Sequence, residues 1–170
     1  MPQGTQPDSR PEIGRLMEQY GSSLLRMSAL YLKDADLAQD AVQETFIKAY
    51  RYFSEYRGES SEKTWLTSIC MNTCRDMLRT AWFRHNSRID PDTLPEQPAG
   101  FEFPDSTVLN EVMRLPSKLR EVVLLRYYEG LKLKEVASAL QLSEGKVRFR
   151  LNKAGEILRV RLKEWYYDEE

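Results

Sequence analysis

The stretch RIDPDTLPEQPAGFEFPDS, at 88–106, constrains the fold most, because it carries four prolines, a glycine and no apolar periodicity. Proline fixes φ and removes a backbone donor, so a segment this rich in it continues neither a helix nor a central strand. Its only base is Arg88 at the edge, and it reads as an acidic linker or extended connector. The 170-residue chain is therefore expected to fold as two small units, one on each side.

Both sides carry helical spacing, and neither shows the alternation of a strand. Over 35–53, Leu37, Ala38, Ala41, Val42, Phe46, Ala49, Tyr50 and Phe53 follow the i, i+3, i+4, i+7 rule. Leu66, Ile69, Cys70, Thr73 and Met77 make a second stripe over 63–79, and Leu16, Tyr20, Leu24 and Met27 a third over 13–32. Beyond the linker, Pro116 is expected in the first turn of a helix, where a missing N–H costs nothing. Leu119, Val122, Val123 and Leu125 are its buried side up to a stop at Glu129 and Gly130. A short helix with Val136, Ala137 and Leu140 inward follows, then Ser143 as N-cap of a last helix burying Val147, Leu151, Ala154 and Leu158. Two short helices joined by a tight turn describe a helix-turn-helix. The fold class is all-α: an N-terminal helical bundle and a C-terminal helix-turn-helix domain. The boundaries are 1–11 for a flexible N-terminus, 12–88, 89–106 for the linker, and 107–170.

A net charge of -1 conceals strong segregation. Residues 113–163 hold thirteen basic and five acidic groups, while 90–112 and 164–170 hold only acidic ones. Such a basic block between acidic flanks is built to meet a polyanion locally. On the last helix Lys146, Arg148, Arg150, Asn152 and Lys153 project from the first turns, with donors suited to phosphates and to base edges in a major groove. Lys146/Arg150, Arg150/Lys153 and Arg159/Lys163 are like-charge neighbours, each costing an isolated helix roughly 0.2–0.5 kcal/mol. A bound polyanion relieves that repulsion. DNA is favoured over a plain solvated face, and that over an anionic membrane.

Other chemistry is poorly supplied. Two cysteines, Cys70 and Cys74, and a single His85 make neither a disulfide framework nor a zinc site. There is no phosphate-cradling glycine loop and no nucleophile with a base, so no metal, cofactor or small-molecule substrate is expected and the chain is not read as an enzyme. The best enzyme case, a Cys70/Cys74 redox pair, is explained more cheaply by two small residues on a buried helix face. No apolar run is long enough to span a membrane and the N-terminus is polar and Pro-rich, which points to the cytoplasm.

Two longer stretches carry a resemblance. DLAQDAVQETFIKAYRYFSEYRGESSEKTWLTSICMNTCRDMLR resembles the second conserved region of bacterial sigma factors of the extracytoplasmic-function, sigma-70-like group. LPSKLREVVLLRYYEGLKLKEVASALQLSEGKVRFRLNKAGEIL resembles their fourth region, in the same order and spacing, and together the two cover most of 13–160. The resemblance implies a sigma factor that binds core RNA polymerase and promoter DNA and directs transcription initiation, with an anti-sigma factor as a further partner. It implies that Asp40, Gln43, Glu44 and Ile47 grip a coiled coil of the core polymerase. Arg57, Ser60, Ser61, Lys63, Asn72, Arg75 and Arg79 would meet the minus-ten element, where one strand is separated and a base is held out of the stack. Lys146, Arg148, Phe149, Arg150, Asn152 and Lys153 would meet the minus-thirty-five element.

The acidic linker is either a solubilising tether or a segment threaded through the polymerase cleft. Trp65 is either a stacking platform or a core residue. The chain departs from the family pattern at Lys146, Phe149 and Gly155, and Phe149 either touches a thymine methyl or packs on the neighbouring helix. Gln141 stands where the turn usually has glycine, and a left-handed conformation there carries a cost of about 1 kcal/mol, so a differently wound turn is expected. A regulator that uses the helix-turn-helix without joining polymerase is the rival reading, and the Asp40, Gln43, Glu44 ridge discriminates against it.

Overall fold

The computed structural model describes residues 8–85 and 107–168, so the expected linker at 89–106 and most of the N-terminal lead at 1–11 lie outside the described residues. Every regular element among the described residues is helical. The order is α1 (Arg10–Leu32), α2 (Ala35–Tyr52), a 3-10 turn (Phe53–Glu55), α3 (Glu62–His85), α4 (Thr107–Met113), α5 (Ser117–Val123) running into a π turn (Leu124–Tyr128), α6 (Leu133–Leu140) and α7 (Glu144–Asp168).

Helices α1 to α3 make the first bundle because their stripes face one another. Leu16, Leu24, Met27 and Leu30 of α1 are buried, and α2 turns the small side chains of Ala38, Ala41 and Ala49 inward, which lets the two helix backbones approach closely. Between them Lys33 takes a left-handed conformation with its N–H on the Ala29 carbonyl. Asp34 then caps α2, its Oδ1 accepting from the Asp36 and Leu37 amides at 2.9 and 3.0 Å. Cys70 and Cys74 lie one turn apart on the buried side of α3, both against Ser28 of α1, as the packing explanation requires.

In the second unit Pro116 is the N-cap of α5, with extended ψ, rather than a residue of its first turn. Helix α4 was not anticipated, and neither was the π turn at Leu124–Tyr128, which widens the helix just before Gly130 closes it at φ 69°. Ser143 caps α7 as expected, its Oγ accepting from the Lys146 amide at 3.1 Å. The turn between α6 and α7 corrects the sequence expectation. Gln141 does adopt the left-handed conformation, φ 56° and ψ 43°, because this lets its own N–H and that of Leu142 reach the last carbonyls of α6. Gln141→Gly is therefore expected to raise stability by about 0.5–1 kcal/mol, read as a higher urea midpoint at unchanged slope. An unchanged or lower midpoint would show that the turn holds glutamine without strain.

The two units form one continuous hydrophobic cluster. Helix α5 and its π turn lie against α1, and α6 lies against α3. Arg120 is the main stitch: although 5% exposed, it donates to the Tyr31 carbonyl at the end of α1 at 2.8 and 3.1 Å and to the Leu115 and Met113 carbonyls at 2.7 and 3.3 Å. A cation at the C-terminal end of α1 also meets the negative end of that helix's dipole. Its guanidinium sits 5.2 Å from the Tyr31 ring.

Candidate nucleic-acid interface

On α7 the first turns expose Lys146, Arg148, Phe149, Asn152 and Lys153 together. Phe149 is 65% exposed, so of its two readings the one that packs it on a neighbouring helix does not apply. Val147 and Ala154 are buried and fix the rotation of the helix, and Arg150 falls on the same inward side, three residues after Val147 and four before Ala154. Its side chain is 13% exposed and reaches Glu121 Oε1 at 3.5 Å. Arg150 thus stands apart from the five exposed side chains. Helices α6 and α7 supply the geometry of a helix-turn-helix, with the second helix presenting its N-terminal half outward.

The 57–61 loop and α3 hold the other DNA candidates. Gly58 makes the turn at φ 75°. Ser61 caps α3, its Oγ accepting from the Thr64 amide at 3.1 Å and donating to Thr64 Oγ1, so its hydroxyl is committed locally. The Ser60 carbonyl accepts from the Tyr56 hydroxyl, and the Tyr56 ring stacks on Trp65 with centroids 4.7 Å apart, while Phe53 meets Trp65 edge-on. Trp65 is thereby enclosed by its own loop, which favours its structural reading over a free stacking platform. Arg57 and Arg79 are exposed, Arg79 within 3.7 Å of Asp76, and Asn72 is half-buried.

Arg75 and Lys63 face the other unit. Arg75 makes a two-point pair with Glu121, Nε to Oε2 at 3.0 Å and Nη2 to Oε1 at 2.5 Å, and Nη1 reaches the Leu140 carbonyl. Burial opposes the charge on Arg75, and the Glu121 carboxylate outweighs it, so the group binds its proton more tightly than usual. Lys63 Nζ donates to the Glu129 carbonyl and lies 4.0 Å from Glu129 Oε2. Glu129 also accepts from Ser23 at 2.9 Å; burial pushes its carboxyl upward against the pull of Ser23, Lys63 and Arg26.

Arg120 and Glu121 were not singled out in the sequence, and Glu129 was read only as a helix stop, yet for the first two a signal existed. From Leu119 to Leu125 every residue is buried, Arg120 and Glu121 included, so this helix has no wet face over nearly two turns. A charged pair inside a run otherwise made of leucine and valine marks partners elsewhere in the fold.

The ridge expected to meet polymerase is continuous on α2. Asp40, Gln43 and Ile47 are exposed and Glu44 is half-buried on the same side, with Ile47 51% exposed. Tyr50, three residues further and also exposed, extends it. Among the described residues no helix is long and apolar enough to cross a membrane, and no group of three or more His, Cys, Asp or Glu side chains is placed to hold a metal ion.

Comparison with known proteins matches residues 16–84 to Sigma-70 region 2 and residues 107–155 to Sigma-70, region 4. The chain is 30% identical over 158 residues to RNA polymerase sigma-H factor of Pseudomonas aeruginosa, covering 84% of this chain and 82% of that one. It is 31% identical over 161 residues to the ECF RNA polymerase sigma-E factor of Escherichia coli (strain K12), with the same coverage of both. In fold it resembles the sigma factor RpoE of Bartonella quintana, solved in complex with the anti-sigma factor NepR, at TM-score 0.72 and 19% identity over 89% of this chain and 97% of that one. It also resembles CnrH, solved in complex with the cytosolic domain of CnrY, at TM-score 0.67 and 22% identity over 91% and 90%.

Proposed function

The chain belongs to the sigma-70-like sigma factors of the extracytoplasmic-function group, and on that premise we propose how its residues divide the work of directing RNA polymerase to promoters. The unit at 12–88 docks on core polymerase through Asp40, Gln43, Glu44 and Ile47. Its loop and α3 meet the minus-ten element through Arg57, Ser60, Lys63, Asn72, Arg75 and Arg79, with Ser61 setting the start of α3. The unit at 107–170 reads the minus-thirty-five element through Lys146, Arg148, Phe149, Asn152 and Lys153, joined by Arg150 once that side chain is released from Glu121. Residues 89–106 tether the two, after a flexible lead at 1–11. The chain works in the cytoplasm, carries out no bond chemistry, and takes an anti-sigma factor as a regulatory partner.

The observation that carries this reading is the pairing of an exposed amide- and carboxylate-bearing ridge on α2 with an exposed basic reading face on α7, in one chain. A DNA-binding regulator needs only the second. Run-off transcription with core polymerase on a promoter library, at two salt concentrations, tests it: initiation is expected only when the chain is added, and its absence would reject the reading. Within that assay Arg148→Ala is expected to relax base preference at the upstream element, by about 1–3 kcal/mol of discrimination, whereas Arg159→Ala weakens binding evenly across sequences. Equal, sequence-independent losses from both would remove Arg148 from base reading.

A further inference from the structure

We infer that Tyr52, the last residue of α2, is the platform on which an unpaired base of the minus-ten element stacks. The inference rests on the proposed reading of the 57–61 loop and α3 as the minus-ten surface. Holding one base of a separated strand takes an aromatic face open to solvent, with cations nearby for the adjoining phosphates. Trp65 has the ring but not the access, since Tyr56 stacks on it with centroids 4.7 Å apart and Phe53 meets it edge-on at 6.2 Å. Tyr52 takes part in neither contact and is 45% exposed.

The packing of α2 on α3 places Tyr52 on that surface. The two helices run antiparallel: Lys48 Nζ donates to Thr73 Oγ1 at 3.0 Å, and further along α2 Phe53 meets Trp65, which is earlier in α3. Tyr52 is one turn beyond Lys48 on the same side of α2, and Ile69 and Asn72 fall between Trp65 and Thr73, so the tyrosine lies level with them. A long side chain on a helix leans over the turn before its own Cα, which carries the Tyr52 ring toward Thr73 and the half-buried Asn72. From Ile47 and Tyr50 it is turned by about 140° and about 160° around the axis of α2, so it stands clear of the ridge expected to meet polymerase. Arg51, its neighbour, and Arg57, at the start of the loop, are exposed cations suited to phosphates. Stacking accepts any base, so Tyr52 supplies affinity for an unpaired nucleotide, while the Asn72 amide, which can donate and accept, reads its edge.

The full chain is tested together with core polymerase on a promoter recovered from the run-off library, prepared as a fork whose minus-ten element is unpaired and as a duplex ending upstream of that element. Tyr52→Ala is expected to weaken binding to the fork about tenfold and to leave binding to the upstream duplex unchanged. Tyr52→Phe keeps the ring and should bind the fork within about twofold of the natural chain, while Tyr52→Leu, apolar without a ring, should stay as weak as Tyr52→Ala. Single abasic replacements through the unpaired segment should locate one position at which the natural chain loses about tenfold and Tyr52→Ala loses nothing further. Full affinity of Tyr52→Ala for the fork, or recovery by leucine as complete as by phenylalanine, would overturn the proposal. So would an equal loss of association with core polymerase alone, which would make Tyr52 part of a protein interface. Arg57→Ala and Asn72→Ala separate the proposal from the reading beneath it. Weaker fork binding in these two with Tyr52→Ala unaffected would remove Tyr52 alone; full fork affinity in all three would remove the minus-ten assignment of the loop and α3.

Discussion

Arg120→Ala is expected to destabilise the chain by about 3 kcal/mol or more, lowering the midpoint of thermal unfolding by about 10 °C. The reason is the number of groups left behind. The Tyr31, Met113 and Leu115 carbonyls all take Arg120 as donor, and the site is too well covered for bulk water to replace it freely. Each buried acceptor without a partner costs about 1–3 kcal/mol, and the lost side chain also leaves a cavity against the Tyr31 ring. Arg120→Lys keeps the charge but not the planar fork, and should recover less than half of the loss. A change within about 0.5 kcal/mol for Arg120→Ala would mean that water enters and satisfies the three carbonyls.

Ile47→Glu is expected to weaken association with core polymerase about thirty-fold or more, equivalent to ~2 kcal/mol, and to abolish run-off transcription at core concentrations that saturate the natural chain. Ile47 is a large apolar side chain left exposed in the middle of a polar ridge, with Asp40, Gln43 and Glu44 on one side and Tyr50 on the other. A central apolar anchor ringed by polar groups is where binding energy concentrates. Because the side chain is exposed, the unfolding midpoint should stay unchanged, which separates a docking loss from a folding loss. Normal co-elution with core polymerase would detach this ridge from the interaction.

Much of the architecture was legible because helices announce themselves locally. The stripe over 35–53 becomes α2, Ser143 caps α7, and Val147 and Ala154 fix which side of α7 is wet. These features depend on residues three or four apart. Gln141 was read less well: its steric preference argued against a left-handed turn, yet the carbonyls at the end of α6 needed donors and took them. The π turn at Leu124–Tyr128 had no local signature, and it is followed directly by Glu129, which lies beside Ser23 and Lys63 of the other unit.

The candidate site divides in the same way. Periodicity along α7 is enough to place Lys146, Arg148, Asn152 and Lys153 outward, and along α2 to line up Asp40, Gln43, Glu44 and Ile47. For Arg75 and Lys63 it yields a polar helix face and nothing about what lies opposite. Order in the chain, side-chain chemistry and spacing by themselves determined that this protein is all-helical in two units and pointed to one basic face for DNA, while the α2 ridge took its expected helical partner from the family resemblance alone. Only the tertiary structure decided that Glu121 and Glu129 sit against the DNA-assigned cations, because partners 46 and 66 residues apart meet through packing between units, which no local repeat encodes.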